Sequence, residues 1–424
     1  MNAAENIVDG NDVKRRRVVI TGAGVVTALG LTRKELHDRL LNGENAVRSM
    51  PEWSEFMQAK FDVVAACVNL DPAMVKLIDR RRRRSMANAA LFAAIAAKSA
   101  VEESALTPEM LSSGRCGCIA SSTVGSASAM FESCKAVIER RFEDLSACQF
   151  FKLVSHSSAF NTANLFGITG VQISPCSACA SSLQAIGLAY EQILAGRQEI
   201  FLAGGSDEAT AMVTGSFSQL YALAENSQFP PSERSRPFDS ARGGLVCGEG
   251  AGMLVVEELG HALSRGASIL AEIKGYATNC NGSEISQSDS ASIARCMRAA
   301  MDDAGIGPGD VDYLSAHATS TVAGDREEAA AIREVFSDGV PVSSLKGALG
   351  HTLGASGAIE TAAVLEMMAR GEILPTANLV DVAEDCSGIS LPKTAVRKHL
   401  GTVLKNCIAF GGVNASLVIS EFAG

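Results

Sequence analysis

The chain has 424 residues, too many for one ordinary core, so two or more units or one large α/β fold are expected. Hydrophobic residues make up 47 %, charged residues 20 % and aromatics 5 %, with 39 glycines, which excludes disorder and fits a well-packed α/β protein. A formal net charge of −10 excludes a general nucleic-acid footprint, so an electrostatic partner has to meet a local patch.

In chain order, residues 1 to 14 are polar and read as a loose arm. RRVVITGAGVV (16–26) predicts a buried strand ending at a Gly-rich turn; its G-x-G lacks the third glycine of a dinucleotide loop, because Thr27 stands there. The basic residues ahead of this run mimic a secretory leader, but the glycines at 22, 24 and 30 favour strand and turn. No stretch approaches the roughly 20 apolar residues of a membrane span. Arg80 to Arg84 is an unbroken run of five arginines. A solvated helix face after Asp79 accounts for any one of them; five together repel one another and suit an acidic partner. SMANAALFAAIAAKSAVEESA (85–105) predicts an Ala-rich helix buried on all sides, and GRCGCIASSTVG (114–125) and EIFLAGGSDEA (199–209) each predict a strand followed by a small-residue loop.

The second half restarts in the same way. SILAEIKGYATN (268–279) predicts a strand, ASIARCMRAAMDDAGI (291–306) a helix ending at Gly307, VDYLSAHATST (311–321) a strand delivering polar residues, and VLKNCIAFGGVNASLVISEF (403–422) a Gly-interrupted strand pair. SACASSLQAIGLAYEQILAG and HTLGASGAIETAAVLEMMARG share a form: a reactive side chain, small residues, then an apolar helix ending in Gly. That similarity suggests a duplicated α/β unit with two helix N-termini close together.

Twelve cysteines are scattered through mostly apolar text, the pattern of reduced cytosolic thiols and not of a disulfide framework. In SPCSACASSL, Cys176 and Cys179 have C-x-x-C spacing, but there is no second C-x-x-C to complete a metal site. Ser177 is a candidate cap for the helix that follows. Cys179 then falls at the helix start, where free N–H groups and the macrodipole favour the thiolate nucleophile. Cys176, after Pro175, is expected to pack in the incoming strand. Among six histidines, His37, His261 and His399 lie in charged or polar text and read as surface or satisfied-core residues. His317 in AHATST and His351 in LGHTLGASG are embedded in small residues that leave space for a ligand.

These residues resemble the β-ketoacyl-acyl carrier protein synthases, condensing enzymes of the thiolase superfamily, and the elongating types in particular. The similarity runs from about Arg16 to the C-terminus. It is carried by SACASS around Cys179, LAGGSDEA (202–209), SRPFDSARGGLVCGEGAG (235–252), HATST with Asp325 and Glu328 behind it, SSLKGALGHTLGASGAIE (343–360), LPTANL (374–379) and FGGVNA (410–415).

The resemblance implies a thiolase-like α/β fold of two duplicated halves in an αβαβα layering: an arm (1–15), an N-terminal half with the nucleophile (16–262) and a C-terminal half with the two histidines (263–424). It implies that Cys179 accepts the acyl group and that the N–H groups of Cys179 and Phe410 form the oxyanion hole, with Phe410 also gating the acyl tunnel. His317 and His351 would hold a malonyl thioester through loss of CO2. Lys346 and Glu328 would form a buried supporting pair, with Asp325 beside them. Thr319, Thr321, Gly411 and Gly412 would contact substrate, and Val124 would set chain length at a dimer interface. No cofactor or metal is implied. The partners implied are an acidic acyl carrier protein, docking at Arg81 and Arg84, and a second copy of the chain or a chain-length-factor-like subunit. The setting is cytosolic, away from membranes and nucleic acid.

Four positions depart from the family pattern. Ala318 follows the histidine where Gly is usual, and would narrow the malonyl side. RGGLV replaces R-D-G-F-V, so Gly243 lacks a carboxylate and Leu245 a ring, read as altered loop anchoring. Ala409 replaces a gate glycine. A non-decarboxylating thiolase is the nearest rival, since Cys407 is similar to that branch's second cysteine; His317, Lys346 and Phe410 argue against it, and a buried strand thiol is the plainer reading of Cys407.

Overall fold

The computed structural model describes residues 15–225, 228–283, 285–337 and 339–424. The expected loose arm, apart from Arg15, lies outside these. Ten strands form one sheet: β1 (Val18–Thr27), β2 (Cys116–Ser121), β3 (Gln172–Ile173), β4 (Ile200–Asp207), β5 (Gly250–Glu258), β6 (Ala271–Cys280), β7 (Tyr313–Ser315), β8 (Val342–Ser343), β9 (Thr402–Ala409) and β10 (Val413–Ser420). From one edge the order is β3-β2-β4-β5-β1, and from the other it is β8-β7-β9-β10-β6. Each number in the second series is the first plus five. The pairings repeat too: two parallel contacts around β2 and around β7, then two antiparallel ones inward. The halves meet where β1 pairs antiparallel with β6, Val18 opposite Ile273 and Ile20 opposite Ala271. The duplication suggested by two helices is therefore written across the whole sheet.

Both faces of this sheet are covered, so its strands read as continuous apolar runs. In β4, Phe201 and Ala203 point into a central core, while Ile200 and Leu202 point into an outer one. In β9, Val403 and Cys407 face the centre and Leu404 and Ile408 the other outer core. The outer layers hold α1 (Asn88–Ser104) and α2 (Ser157–Phe166) on one side, and on the other two helices of the second half. The central layer is α3 (Ser181–Leu194) with its counterpart from that half. The second-half helices are α4 (Ser290–Ala304) and α5 (Val322–Phe336), both outer, and α6 (Ser356–Arg370), central.

Two boundaries differ from expectation. β1 does not end at its glycines but runs through them to Thr27. A Cβ on Gly22 or Gly24 would lie 2.2 or 2.0 Å from the carbonyl oxygens of Ala100 and Ala96, so these glycines let α1 rest against the strand. α4 stops at Gly305, whose φ of +69° closes the helix, and not at Gly307.

The starts of α3 and α6 touch. Each follows a 3-10 turn, Ala178–Ala180 and Leu353–Ala355, with a positive φ at the first residue, +46° at Ala178 and +53° at Leu353. A Cβ on Gly357 would lie 2.7 Å from Leu183 N, and the Ala358 N–H donates to Ser182 Oγ at 3.0 Å. By this equivalence Cys179 matches Gly354, and His351 matches Cys176. The two reactive side chains occupy different positions of one repeated motif, which lets them converge without colliding.

Candidate active site

Cys179 lies in the middle of its 3-10 turn, 5 % exposed. Ser177 does not cap the turn through its side chain; the Ser181 hydroxyl accepts from Ser177 N–H (2.8 Å) and donates to the Ala178 carbonyl (2.6 Å). The expected resting thiolate is corrected as well. Burial pushes the Cys179 thiol up to about 12 and outweighs the helix start. A protonated thiol needs a base, and His351 Nε2 lies 2.9 Å from its sulfur.

The other nitrogen of His351, Nδ1, is 3.0 Å from the Ser356 hydroxyl. A hydroxyl can donate or accept, so Ser356 supports either tautomer of the ring. His317 stands edge-on to His351, ring centres 5.1 Å apart at 86°. Burial, and next the Lys346 ammonium, hold both imidazoles well below their ordinary range, so both are neutral at pH 7.

Glu328 fixes the backbone at His317. Its two oxygens accept the N–H groups of His317 (2.8 Å) and Ala318 (2.6 Å), and Asn406 Nδ2 adds a third donor at 3.3 Å. The expected Lys346–Glu328 pair is therefore corrected. Lys346 Nζ binds Glu360 Oε1 at 2.5 Å, and Lys405 Nζ binds the other oxygen. Asp325 accepts from Phe238 N–H (2.8 Å) and Ser320 N–H (3.1 Å), tying the loop before β5 to the loop after β7.

A cavity of about 340 Å³ opens over Cys179, with His317, His351, Thr319, Thr321 and Phe410 in its wall. Phe410 begins the β9–β10 turn and stacks on Phe217, centroids 6.0 Å apart. Gly411 and Gly412 make that turn, with φ of +89° and +75°, and Gly411 N–H donates to the Ile285 carbonyl at 2.6 Å. They shape the loop behind Phe410. Ala318, Ala409, Gly243 and Leu245, the four departures, all line the cavity. The RGGLV loop thus bears on cavity shape as well as anchoring. Its anchors are Arg242 to both Asp385 oxygens (2.8 Å each) and Gly244 N–H to the Ser320 carbonyl (2.9 Å).

Other residues lie apart from this centre. Val124 is 39 % exposed on the surface. Cys176 is exposed and not packed in a strand; its thiol donates to the Thr123 carbonyl at 3.2 Å. The arginine run forms a 3-10 turn, Arg82–Ser85, and not a regular helix face. The Arg82 and Arg83 side chains are tied to Asn164 and to the Ile78 carbonyl, and Arg80, Arg81 and Arg84 are exposed. His37 is buried with neither ring nitrogen hydrogen-bonded among the described residues, unlike the satisfied core histidine expected.

Sequence reasoning missed Ser356, Glu360, Lys405 and Asp207, whose carboxylate accepts from Gly354 N–H (2.6 Å) and Thr123 N–H (3.1 Å). The available signal was a lone charge inside an apolar run, as in SGAIETAAV and TVLKNCIAF. The ligand atoms of Cys179, His317 and His351 lie within 4.8 Å of one another, close enough for a thiophilic cation. Cys176, the fourth ligand that spacing would suggest, bonds elsewhere.

A buried thiol, two neutral imidazoles and a shared cavity, set between two touching helix starts of a duplicated sheet, define a thiolase-fold acyltransferase. The described residues contain no helix long and apolar enough to cross a membrane. Residues 15–262 match the family model "Beta-ketoacyl synthase, N-terminal domain" and residues 270–380 the model "Beta-ketoacyl synthase, C-terminal domain". The chain is 36 % identical over 411 residues to 3-oxoacyl-[acyl-carrier-protein] synthase 1 of Escherichia coli, covering 96 % of this chain and 99 % of that one. It superposes on a beta-ketoacyl synthase from Burkholderia phymatum with a TM-score of 0.90, at 37 % identity, covering 96 % and 100 % of the two chains. A ketosynthase solved in complex with its type II polyketide acyl-carrier protein gives 0.87 at 30 % identity, covering 96 % and 100 %. The chain belongs to the beta-ketoacyl synthase family, acyltransferases of fatty-acid or polyketide synthesis that act on carrier-bound thioesters.

Proposed function

We propose that Cys179 is the acyl-accepting nucleophile of a decarboxylative Claisen condensation. The observation that carries this is the 2.9 Å approach of His351 Nε2 to the Cys179 sulfur on the floor of the cavity. Cys179 attacks an acyl thioester as its proton passes to His351, and the N–H groups of Cys179 and Phe410 receive the developing oxyanion. The proton leaves with the carrier thiol. Malonyl thioester then enters, its carbonyl oxygen held by His317 and His351. As CO2 departs, the breaking C–C bond's electron pair becomes an enolate stabilised by both rings. Its carbon attacks the acyl carbonyl, the bond to Cys179 sulfur breaks with the electron pair on sulfur, a β-ketoacyl carrier thioester is released, and a proton from solvent restores the thiol. Lys346, Glu328 and Asp325 support this geometry without touching the reacting atoms, and Thr319 and Thr321 flank the malonyl side. Release of CO2 from malonyl-carrier protein tests the assignment: it should need His317 and His351 and should persist when Cys179 is replaced.

The carrier protein docks at Arg81 and Arg84, two exposed members of the arginine run. A second copy of this chain covers the surface around exposed Val124. Because the chain carries its own cysteine and both histidines, it would be the active member of any heterodimer. The two halves divide at 262/263, and the twelve free thiols suit a cytosolic setting.

A further inference from the structure

We infer that Lys405 is a positioning residue of the condensation site, supplying the second buried positive charge that keeps the charges beneath the two histidines in balance. Lys405 is the one charged side chain of β9 and is fully buried. Its Nζ meets Glu360 Oε2 and lies 3.4 Å from the carbonyls of Ser315 and Ala316, the two residues ahead of His317. Lys346 takes the other Glu360 oxygen, so one carboxylate spans two ammonium groups. The partners of Glu328 named above are all donors, which fits its carboxylate form. Lys346 and Lys405 are thus the two cations that act on Glu328 and Glu360, while Arg242, 3.9 Å from Asp325, faces that separate carboxylate.

A buried lysine is costly to desolvate, and an apolar side chain in its place is often neutral or better for stability. Its value here is electrostatic. Without Lys405, Glu328 and Glu360 would share the single ammonium of Lys346. The excess negative charge would draw a proton onto the adjacent imidazoles, and a protonated His351 cannot accept the proton of Cys179. The titratable groups around the pair are Cys179 from the turn before α3, Asp207 from β4, Asp325 and Glu328 from α5, Lys346 before α6, Glu360 on α6, and Lys405 and Cys407 on β9, with Tyr313 of β7 next to Lys405. None of the others supplies the missing positive charge.

The inference rests on the reading of His351 as the base for Cys179, and the test separates the two. Alkylation of Cys179 by iodoacetamide, followed by intact mass across pH, needs no carrier substrate. In Lys405→Gln, which keeps a donor but loses the charge, the acid limb of the alkylation rate should move up by about one pH unit. In Lys405→Gln/Glu360→Gln, where one charge of each sign is gone, it should return to the wild-type position. Lys405→Met serves as the single variant if the amide is not tolerated. A limb that stays in place in the single variant, or moves equally in the double, overturns the inference. A purely structural Lys405 would lower the urea midpoint of both with the limb unmoved. If His351→Gln leaves the wild-type limb intact, the base assignment itself fails, whatever Lys405 does.

Discussion

The Nε2 of His351 stands 2.9 Å from the Cys179 sulfur, while its Nδ1 stands 3.0 Å from the Ser356 hydroxyl. One serine that can donate or accept thus steadies a ring that takes a proton in one half-reaction and donates a hydrogen bond in the other. Ser356→Ala should lower kcat about tenfold, the worth of one lost hydrogen bond at about 1–1.5 kcal/mol, with KM for the carrier thioester little changed. Steady-state kinetics on both half-reactions check this.

The neutral histidines bear on stability as well as chemistry. Their folded pKa values lie below the unfolded value near 6.5, so below that pH the unfolded chain binds protons that the folded chain refuses. Their contribution is complete above about pH 6.5 and is lost as pH falls through and below it. Each should add about 1.4 kcal/mol per pH unit to the slope of stability in that window. Urea denaturation at pH 5.5 and 7.5 should therefore show a steeper acid loss for the wild type than for His317→Gln/His351→Gln.

The contact between α3 and α6 leaves no room for a side chain at Gly357. Gly357→Ala should wedge the two helix starts apart, costing about 1–3 kcal/mol and slowing acylation of Cys179 more than substrate binding. The paired readouts are the urea midpoint and the acylation rate; normal values of both would contradict the geometry.

Arg81 and Arg84 are exposed and distant in role from the chemistry. Arg84→Glu should raise the KM for carrier-bound substrates several-fold at low salt and leave kcat unchanged, and the difference should shrink at high salt. A small pantetheine thioester, which offers no acidic surface, should react alike with both forms.

What the sequence made legible follows physical lines. His317 and His351 stand out because an imidazole among small residues has no packing rationale, Cys179 because it falls at a helix start, and Phe410 only through the family's FGGVNA motif; the repeated helix motif pointed to the place where Cys179 and His351 meet. The support around them was harder to read. Glu360 and Lys405 are 45 residues apart, and their pairing depends on a crossing of α6 over β9 that no local pattern encodes. Gly22 and Gly24 mimic a turn because the helix that requires them lies elsewhere in the chain. Cys179 reads as a thiolate from its helix start alone, since its burial by distant segments is not local information.

In this mechanism Cys179 carries the acyl group. Incubation with a panel of acyl-carrier thioesters, followed by intact mass and peptide mapping, measures this directly. One acyl adduct per chain is expected, on the peptide containing Cys179, absent in Cys179→Ser and discharged by malonyl-carrier protein. An adduct on Cys176 or Cys407, or one that malonyl-carrier protein does not discharge, would contradict it.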